Sequence, residues 1–194
     1  MTLDPRAPLV LDTRELGRRP GSQHQVTFSA PAPVDLGIEV MRVPEGSPIE
    51  FALRLEAVME GVLVTGTAEA GLDGECVRCL EEIHDELVAD LQELFVYDDD
   101  KHAVDDDEES DVSRLEGDLL DLEPLLRDAV VLSLPFQPLC REDCPGLCLE
   151  CGARLADDQD HQHEEPIDPR WAALGGLADK TEDETGRATG PTEE

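Results

Sequence analysis

The chain has 194 residues, in which 47 acidic side chains face 15 basic ones, for a net charge of -32. Its length suits one domain with appendages. A surface that binds nucleic acid tightly needs clustered lysine or arginine to displace counterions, so this charge argues against direct binding of RNA or DNA. The same field would attract a basic protein, although acidity that serves only solubility is the simpler alternative.

No stretch of the sequence predicts membrane insertion or export. Residues 1–21 are charged and contain no long apolar region, and no apolar run is long enough to span a bilayer. We therefore expect a cytoplasmic protein. In that reducing compartment, six cysteines indicate metal or redox chemistry before structural disulfides.

Residues 25–135 predict an α+β domain, an antiparallel β-sheet with one packed helix, after an N-terminal lead over residues 1–24. The clearest strand covers Ile49 to Met59, where alternate apolar side chains place one face on a core. Its expected hairpin partner covers Val62 to Leu72. Two shorter strands that end at prolines are also expected: Gln25 to Ser29 and Leu36 to Val43.

The segment from Ile83 to Tyr97 fits either a helix face or a strand face, and we favour a strand because it would extend the sheet. Residues 98–116 follow as an acidic loop, which like-charge repulsion would keep disordered. A helix is expected from Asp121 to Ser133, with Asp121 as its cap and Pro135 as its end. Its apolar stripe would pack on the sheet.

Residues 136–178 form a cysteine-rich C-terminal appendage that is predicted to bind metal and to end in a short helix. Asp168 and Pro169 resemble the start of that helix, with the acid at the cap and proline in the first turn. Residues 179–194 are a polar, acidic tail that we expect to be disordered.

The cysteines fall into two groups along the chain. Cys76 and Cys79 form one C-x-x-C pair. The second group ends in the pair Cys148 and Cys151, followed by Gly152, whose freedom lets the backbone turn towards the sulfurs. Four further candidate ligands lie nearby: Cys140, Cys144, His161 and His163. Thiolate and imidazole are ligands that zinc prefers, so the spacing predicts a structural zinc site.

Four of these eight residues would bind the ion, and the sequence leaves three sets open. The local set consists of Cys140, Cys144, Cys148 and Cys151. The two-knuckle set consists of Cys76, Cys79, Cys148 and Cys151. The mixed set combines His161 or His163 with Cys144, Cys148 and Cys151. The two histidines could equally be exposed side chains without a ligand role.

The first C-x-x-C pair lies in the segment Cys76-Val77-Arg78-Cys79-Leu80, which has the pattern C-x-R-C-L. A second cysteine-rich segment runs from Asp143 to Gly152, and a closing segment runs from Ile167 to Leu174. These three segments, in this order, resemble signatures of the YceD-like (DUF177) family. Many relatives carry C-x-C where this chain has His161-Gln162-His163, an exchange that keeps a zinc ligand type.

The resemblance implies a role in the accumulation of large-subunit ribosomal RNA, and it implies no catalytic residues. We therefore expect a non-enzymatic accessory protein that binds a basic protein, such as a large-subunit ribosomal protein or an assembly intermediate. Arg78 and Trp171 are the candidate partner-binding residues, although Arg78 could instead pair with Glu81 or Glu82. The alternatives are a zinc-knuckle module that binds nucleic acid and a thiol redox protein that uses the first C-x-x-C pair.

Overall fold

Alternating apolar and polar side chains, interrupted by proline and glycine, give the described part of the chain eight β-strands and one α-helix. The computed structural model describes residues 3–97, 112–158 and 160–163. In chain order the elements are β1 (Val10–Asp12), β2 (Gln23–Pro31), β3 (Gly37–Ile38), β4 (Met41–Arg42), β5 (Pro48–Ala57), β6 (Gly61–Glu75), β7 (Glu82–Val96), β8 (Leu119–Asp121) and α1 (Glu123–Ser133).

The chain divides into two units, Met1–Ala156 and Asp157–Glu194, and all of these elements belong to the first. Three predicted segments fall wholly or partly outside the described residues: residues 98–111 of the acidic loop expected over 98–116, the short helix that begins near Asp168, and the tail over 179–194. Among the residues that are described, no helix has the length and apolar character needed to cross a membrane.

The main sheet has six strands, and every neighbouring pair in it is antiparallel. β5 and β6 lie at its centre, with β2 beside β5 and β7 beside β6. The short hairpin of β3 and β4 pairs with β6 beyond the end of β5. β1 and β8 form a separate two-stranded sheet. The prediction of an antiparallel sheet with one packed helix is therefore confirmed for the described residues.

One face of the sheet forms the core. The inward residues of β5 are at most 3% exposed: Ile49, Phe51, Leu53, Leu55 and Ala57. α1 contacts β7 and β3, and its Leu126 and Val130 belong to the same buried cluster. Leu126 and Val130 are one helical turn apart, so a single stripe of α1 closes the core.

Several strand boundaries differ from the expectation. β5 ends at Ala57 rather than at Met59, whose side chain is 77% exposed. Leu36 to Val43 is not one strand, because the chain reverses at residues 39 and 40 and the Val43 N–H donates to the Leu36 carbonyl at 2.9 Å. Period-two alternation continues across such a short turn, so the pattern alone could not reveal it. β6 also continues past Leu72, its expected end, to Glu75, because β4 and β7 both pair with it there.

The segment after Ile83 is a strand, β7, as favoured, and its pairing with β6 decides against the helix. α1 begins at Glu123 rather than at Asp121. Asp121 instead pairs with Val10 in the small sheet, while its carboxylate accepts a hydrogen bond from the Glu123 N–H at 2.9 Å. Of the predicted acidic loop, Leu115 is buried and its N–H donates to the carbonyl of Val96 at 2.9 Å.

Replacing Leu126 with alanine is expected to lower the free energy of unfolding by about 2–4 kcal/mol, because the side chain is fully buried between α1 and the sheet. Leu132 on the same helix is 81% exposed, so Leu132→Ala is the matched control and should change it by less than about 0.5 kcal/mol. Urea denaturation of both variants measures the difference. Equal losses would contradict this packing of α1.

Candidate metal centre

The first C-x-x-C pair lies at the closed end of a long hairpin. β6 and β7 pair continuously along 15 residues each, so the connection between them begins at Cys76. The Cys76 N–H donates to the Glu81 carbonyl at 2.8 Å, and the Leu80 N–H donates to the Cys76 carbonyl at 2.9 Å. Leu80 completes the turn in the left-handed region, with φ 58°. The hairpin thus presents Cys76 and Cys79 on a tight, hydrogen-bonded turn.

A second segment, residues 138–147, lies against this turn. The Val77 N–H donates to the Pro138 carbonyl at 3.0 Å. Gly146 passes so close that an added Cβ would lie 3.2 Å from the carbonyl oxygen of Arg78, and its φ of +83° is one that side chains rarely adopt. Glycine at this position therefore lets the two segments meet.

Four sulfur atoms come together where the segments touch. The Sγ of Cys76 lies 3.8 Å from that of Cys144, the Sγ of Cys79 lies 3.6 Å from that of Cys140, and all four lie within 4.8 Å of one another. A disulfide needs about 2.05 Å, so these are separate thiols. Zinc–sulfur bonds of about 2.3 Å in a tetrahedron place the sulfurs about 3.8 Å apart. This cysteine quartet (Cys76, Cys79, Cys140 and Cys144) could therefore hold one tetrahedral metal ion.

Most of the quartet is enclosed. Cys76, Cys79 and Cys144 are 0%, 3% and 2% exposed, whereas Cys140 reaches the surface. Three apolar side chains pack against the buried sulfurs: Ile83, Leu139 and Leu147. An ion with four protein ligands has no position left for water or substrate, which is typical of structural sites.

The surroundings of the quartet move the pKa values of its members apart. Burial raises the pKa of Cys76, but backbone N–H groups of Cys140, Arg78 and Cys79 outweigh it and bring this pKa to about 6. Burial and the neighbouring thiols raise the pKa of Cys140 to about 12. The thiolate of Cys76 is thus stabilised, and its negative charge disfavours ionisation of a second thiol in the quartet. A divalent cation would offset that repulsion and displace the remaining protons.

Residues 64–178 match the family model described as "Large ribosomal RNA subunit accumulation protein YceD". The chain belongs to this family. Membership implies a role in the accumulation of large-subunit ribosomal RNA.

Relatives that share most of this chain occur in several bacteria. The chain is 45% identical to an uncharacterized protein of Mycobacterium tuberculosis over 169 residues, which cover 87% of this chain and 80% of that protein. An uncharacterized protein of Mycobacterium leprae is 42% identical over 168 residues, covering 87% and 76%. The Bacillus subtilis protein YlbN is 28% identical over 145 residues, covering 72% and 78%. No solved structure matches the chain.

All eight candidate ligands lie in the region that matches YceD, but the quartet differs from every set that the sequence left open. Each of those sets included Cys148 and Cys151 together with at least one member of the quartet. The quartet itself contains neither Cys148 nor Cys151. The sulfurs that meet belong to residues 61 and 68 positions apart, and spacing along the chain cannot show such a contact. Which residues bind an ion stays a prediction.

The remaining candidate ligands are placed as follows. Cys148 and Cys151 lie on a turn of the first unit, where the Gly152 N–H donates to the Cys148 carbonyl at 2.9 Å. His161 and His163 lie in the second unit, with their Nε2 atoms 2.9 Å apart. Each pair therefore has its two candidate ligands close together within its own unit.

Arg78, in the YceD signature, has a contact that the sequence did not predict. Its Nη1 donates to the carbonyl oxygen of Cys144 at 2.9 Å, while Glu81, one of its expected partners, lies 3.9 Å from Arg154. The bond ties the hairpin turn to the backbone of a quartet member. Trp171, the other candidate partner-binding residue, lies outside the described residues.

Replacing Cys144 with serine is expected to lower the metal content of the purified protein, because three thiolates hold an ion less tightly than four. Mass spectrometry of metals in protein purified without chelators measures it. Val77→Ser is the matched control, since Val77 lies between two quartet members and is 40% exposed. Equal metal content in the wild type and both variants would contradict a metal site at the quartet.

Proposed function

We propose that the protein is a non-enzymatic accessory factor of the cytoplasm that supports the synthesis, processing or stability of large-subunit ribosomal RNA by binding another protein. A structural zinc ion held by Cys76, Cys79, Cys140 and Cys144 fixes the shape of its YceD region. The observation that carries the proposal is the quartet, which joins the tip of the β6–β7 hairpin to residues 138–147 within that region.

Zinc fits the quartet by its chemistry. It is borderline-soft, binds thiolates well and accepts a tetrahedral site without electronic preference. Among the described residues, the cluster around the sulfurs consists of three buried cysteines and three partly buried apolar side chains. So small a cluster stabilises a fold weakly by burial, and metal binding would supply the missing free energy. Because all four ligands come from the protein, the role of the ion is structural.

The distribution of charge supports a basic protein as the partner. Six arginines of the described residues already lie against carboxylates: Arg14, Arg18, Arg54, Arg127, Arg141 and Arg154. A nucleic-acid phosphate would have to compete with those acids inside a field from a net charge of -32. A surface rich in lysine and arginine would instead meet a favourable potential, which speeds encounter. A large-subunit ribosomal protein would offer such a surface, whether it is free or exposed on an assembly intermediate.

A thiol redox function is the second candidate, and the chemistry of Cys76 is the observation that favours it. Backbone N–H donors outweigh the effect of burial and lower its pKa to about 6, which makes it a thiolate at neutral pH. Cys76 is, however, 0% exposed, so a disulfide or protein substrate could reach its sulfur only if the hairpin turn opened. An enclosed set of four thiols suits an ion better than exchange with a substrate.

Deleting the gene is expected to lower the ratio of large-subunit to small-subunit ribosomal RNA, and the wild-type gene should restore it. Cys144→Ser should restore it poorly, because the quartet that shapes the YceD region is incomplete. Val77→Ser should restore it fully. Quantitative hybridisation of both RNAs measures the ratio. An unchanged ratio in the deletion strain would refute the role, and full rescue by Cys144→Ser would separate that role from the metal.

A pull-down with the wild-type protein is expected to recover proteins rich in lysine and arginine, with recovery falling as salt rises because the attraction is electrostatic. Nuclease treatment of the lysate before capture separates direct protein contacts from those bridged by RNA. Recovery that depends on intact ribosomal RNA would favour the nucleic-acid-binding alternative and contradict protein binding.

A further inference from the structure

An apolar groove lies where the small β1–β8 sheet meets the end of β2. Its volume is about 500 Å³, which is within the usual range for ligand sites. Residues that precede and begin β1 form one wall, including Ala7 and Val10. Three prolines also line it: Pro8, Pro31 and Pro33. Proline has no N–H and a fixed φ, so this lining is apolar and loses little conformational entropy when it is covered.

Carboxylates border the groove, and the described lining contains no lysine, arginine or histidine. The four acidic side chains are Asp4, Glu116, Asp121 and Glu123. Backbone N–H groups of Leu3, Arg6 and Glu123 donate to Glu116, Asp4 and Asp121 at 2.8, 2.9 and 2.9 Å.

These hydrogen bonds hold the carboxylates in place without neutralising them. Glu123 also faces Arg127, whose Nη2 lies 2.8 Å from its Oε1. The border of the groove therefore keeps a net negative charge around an apolar floor.

We propose that this groove binds a segment of a basic protein, in which one apolar side chain enters the groove and the lysines or arginines on either side of it meet the bordering carboxylates. The inference rests on the proposed function in one respect, namely that the partner is a basic protein. It adds where on the molecule the partner is held and which sequence pattern is recognised.

Charge complementarity favours a basic segment over three other occupants of the groove: a second copy of the chain, RNA and a neutral apolar molecule. A second copy of the chain carries a net charge of -32 and would bring its own acids to an acidic border, which costs free energy. Phosphate groups of RNA meet the same repulsion. A neutral apolar molecule would fill the floor but would gain nothing from four carboxylates. A cationic segment with one apolar residue uses both parts of the site.

The test compares two fluorescent peptides of equal charge, Lys-Arg-Leu-Arg-Lys and Lys-Arg-Gly-Arg-Lys, by anisotropy with the full chain. The wild type should bind the leucine peptide at least about tenfold more tightly, because only that peptide buries an apolar side chain. Ala7→Phe places a large ring in the groove and should abolish the preference. The Ala7 N–H donates to the Asp4 carbonyl at 2.9 Å, a backbone contact that this substitution leaves intact.

Asp4→Asn with Glu116→Gln tests the border without filling the groove, so the proposal can still be refuted if Ala7→Phe fails to fold. It should weaken binding of both peptides several-fold. Glu60→Gln with Glu69→Gln is the matched control, because it removes the same number of charges from exposed positions outside the groove. This control should leave both affinities close to those of the wild type.

Equal affinity of the wild type for the two peptides would overturn the proposal, as would a leucine preference that survives Ala7→Phe. Equal weakening by the border variant and its control would show that net charge alone attracts the peptides, and it would also overturn the proposal. So would self-association that Ala7→Phe abolishes, since a second copy would then occupy the groove. The ratio of large-subunit to small-subunit ribosomal RNA tests the proposed function separately. A normal ratio in the deletion strain, together with a leucine preference that Ala7→Phe abolishes, would refute the proposed function and leave the groove's specificity standing.

Discussion

The pairing of β6 with β7 is the constraint on which the rest of the molecule depends. β6 also pairs with β5 and β4, so it connects the whole main sheet, and β7 supports α1. Because the two strands pair to their very ends, the turn that joins them has little freedom. That turn carries Cys76 and Cys79 to the place where Cys140 and Cys144 arrive. One hairpin thus contributes strands to the core and two cysteines to the candidate metal centre.

The two segments that carry the quartet differ in how much of their order would depend on a bound ion. The hairpin turn is already held by the ladder behind it and by its own hydrogen bonds. The described residues after α1, from 134 onwards, form no strand or helix, and their regular pairing amounts to one bridge between Leu147 and Arg154. The free energy of metal binding would therefore go mainly into ordering this second segment on a surface that exists without it. Arg78 and Gly146 prepare that surface, the first by a hydrogen bond and the second by close approach.

Local periodicity was sufficient to predict the sheet, because its strands are half buried and alternate cleanly along β5. It failed where a contact distant in sequence decides the structure. Asp121 looks like a helix cap by itself, but its pairing with Val10 makes it a strand residue. The meeting of the four sulfurs could not be predicted for the same reason. Cys148 and Cys151 have the better local spacing, whereas Cys140 and Cys144 lie against a hairpin turn more than sixty residues earlier.

The acidity of the chain also has a consequence for the edge of the main sheet. Among the described residues, β7 pairs with β6 and otherwise only bridges Arg114 at its end, so a strand of 15 residues borders the sheet. Long edge strands invite pairing with other chains unless charge prevents it. The exposed side chain of Val88 lies between Glu86 and Asp90 on the same strand, and all three point away from the core. Like charges would keep a second copy from adding its own β7 here. The negative charge along β7 would therefore discourage self-association at the sheet edge, and the same charge would favour the cationic partner proposed above.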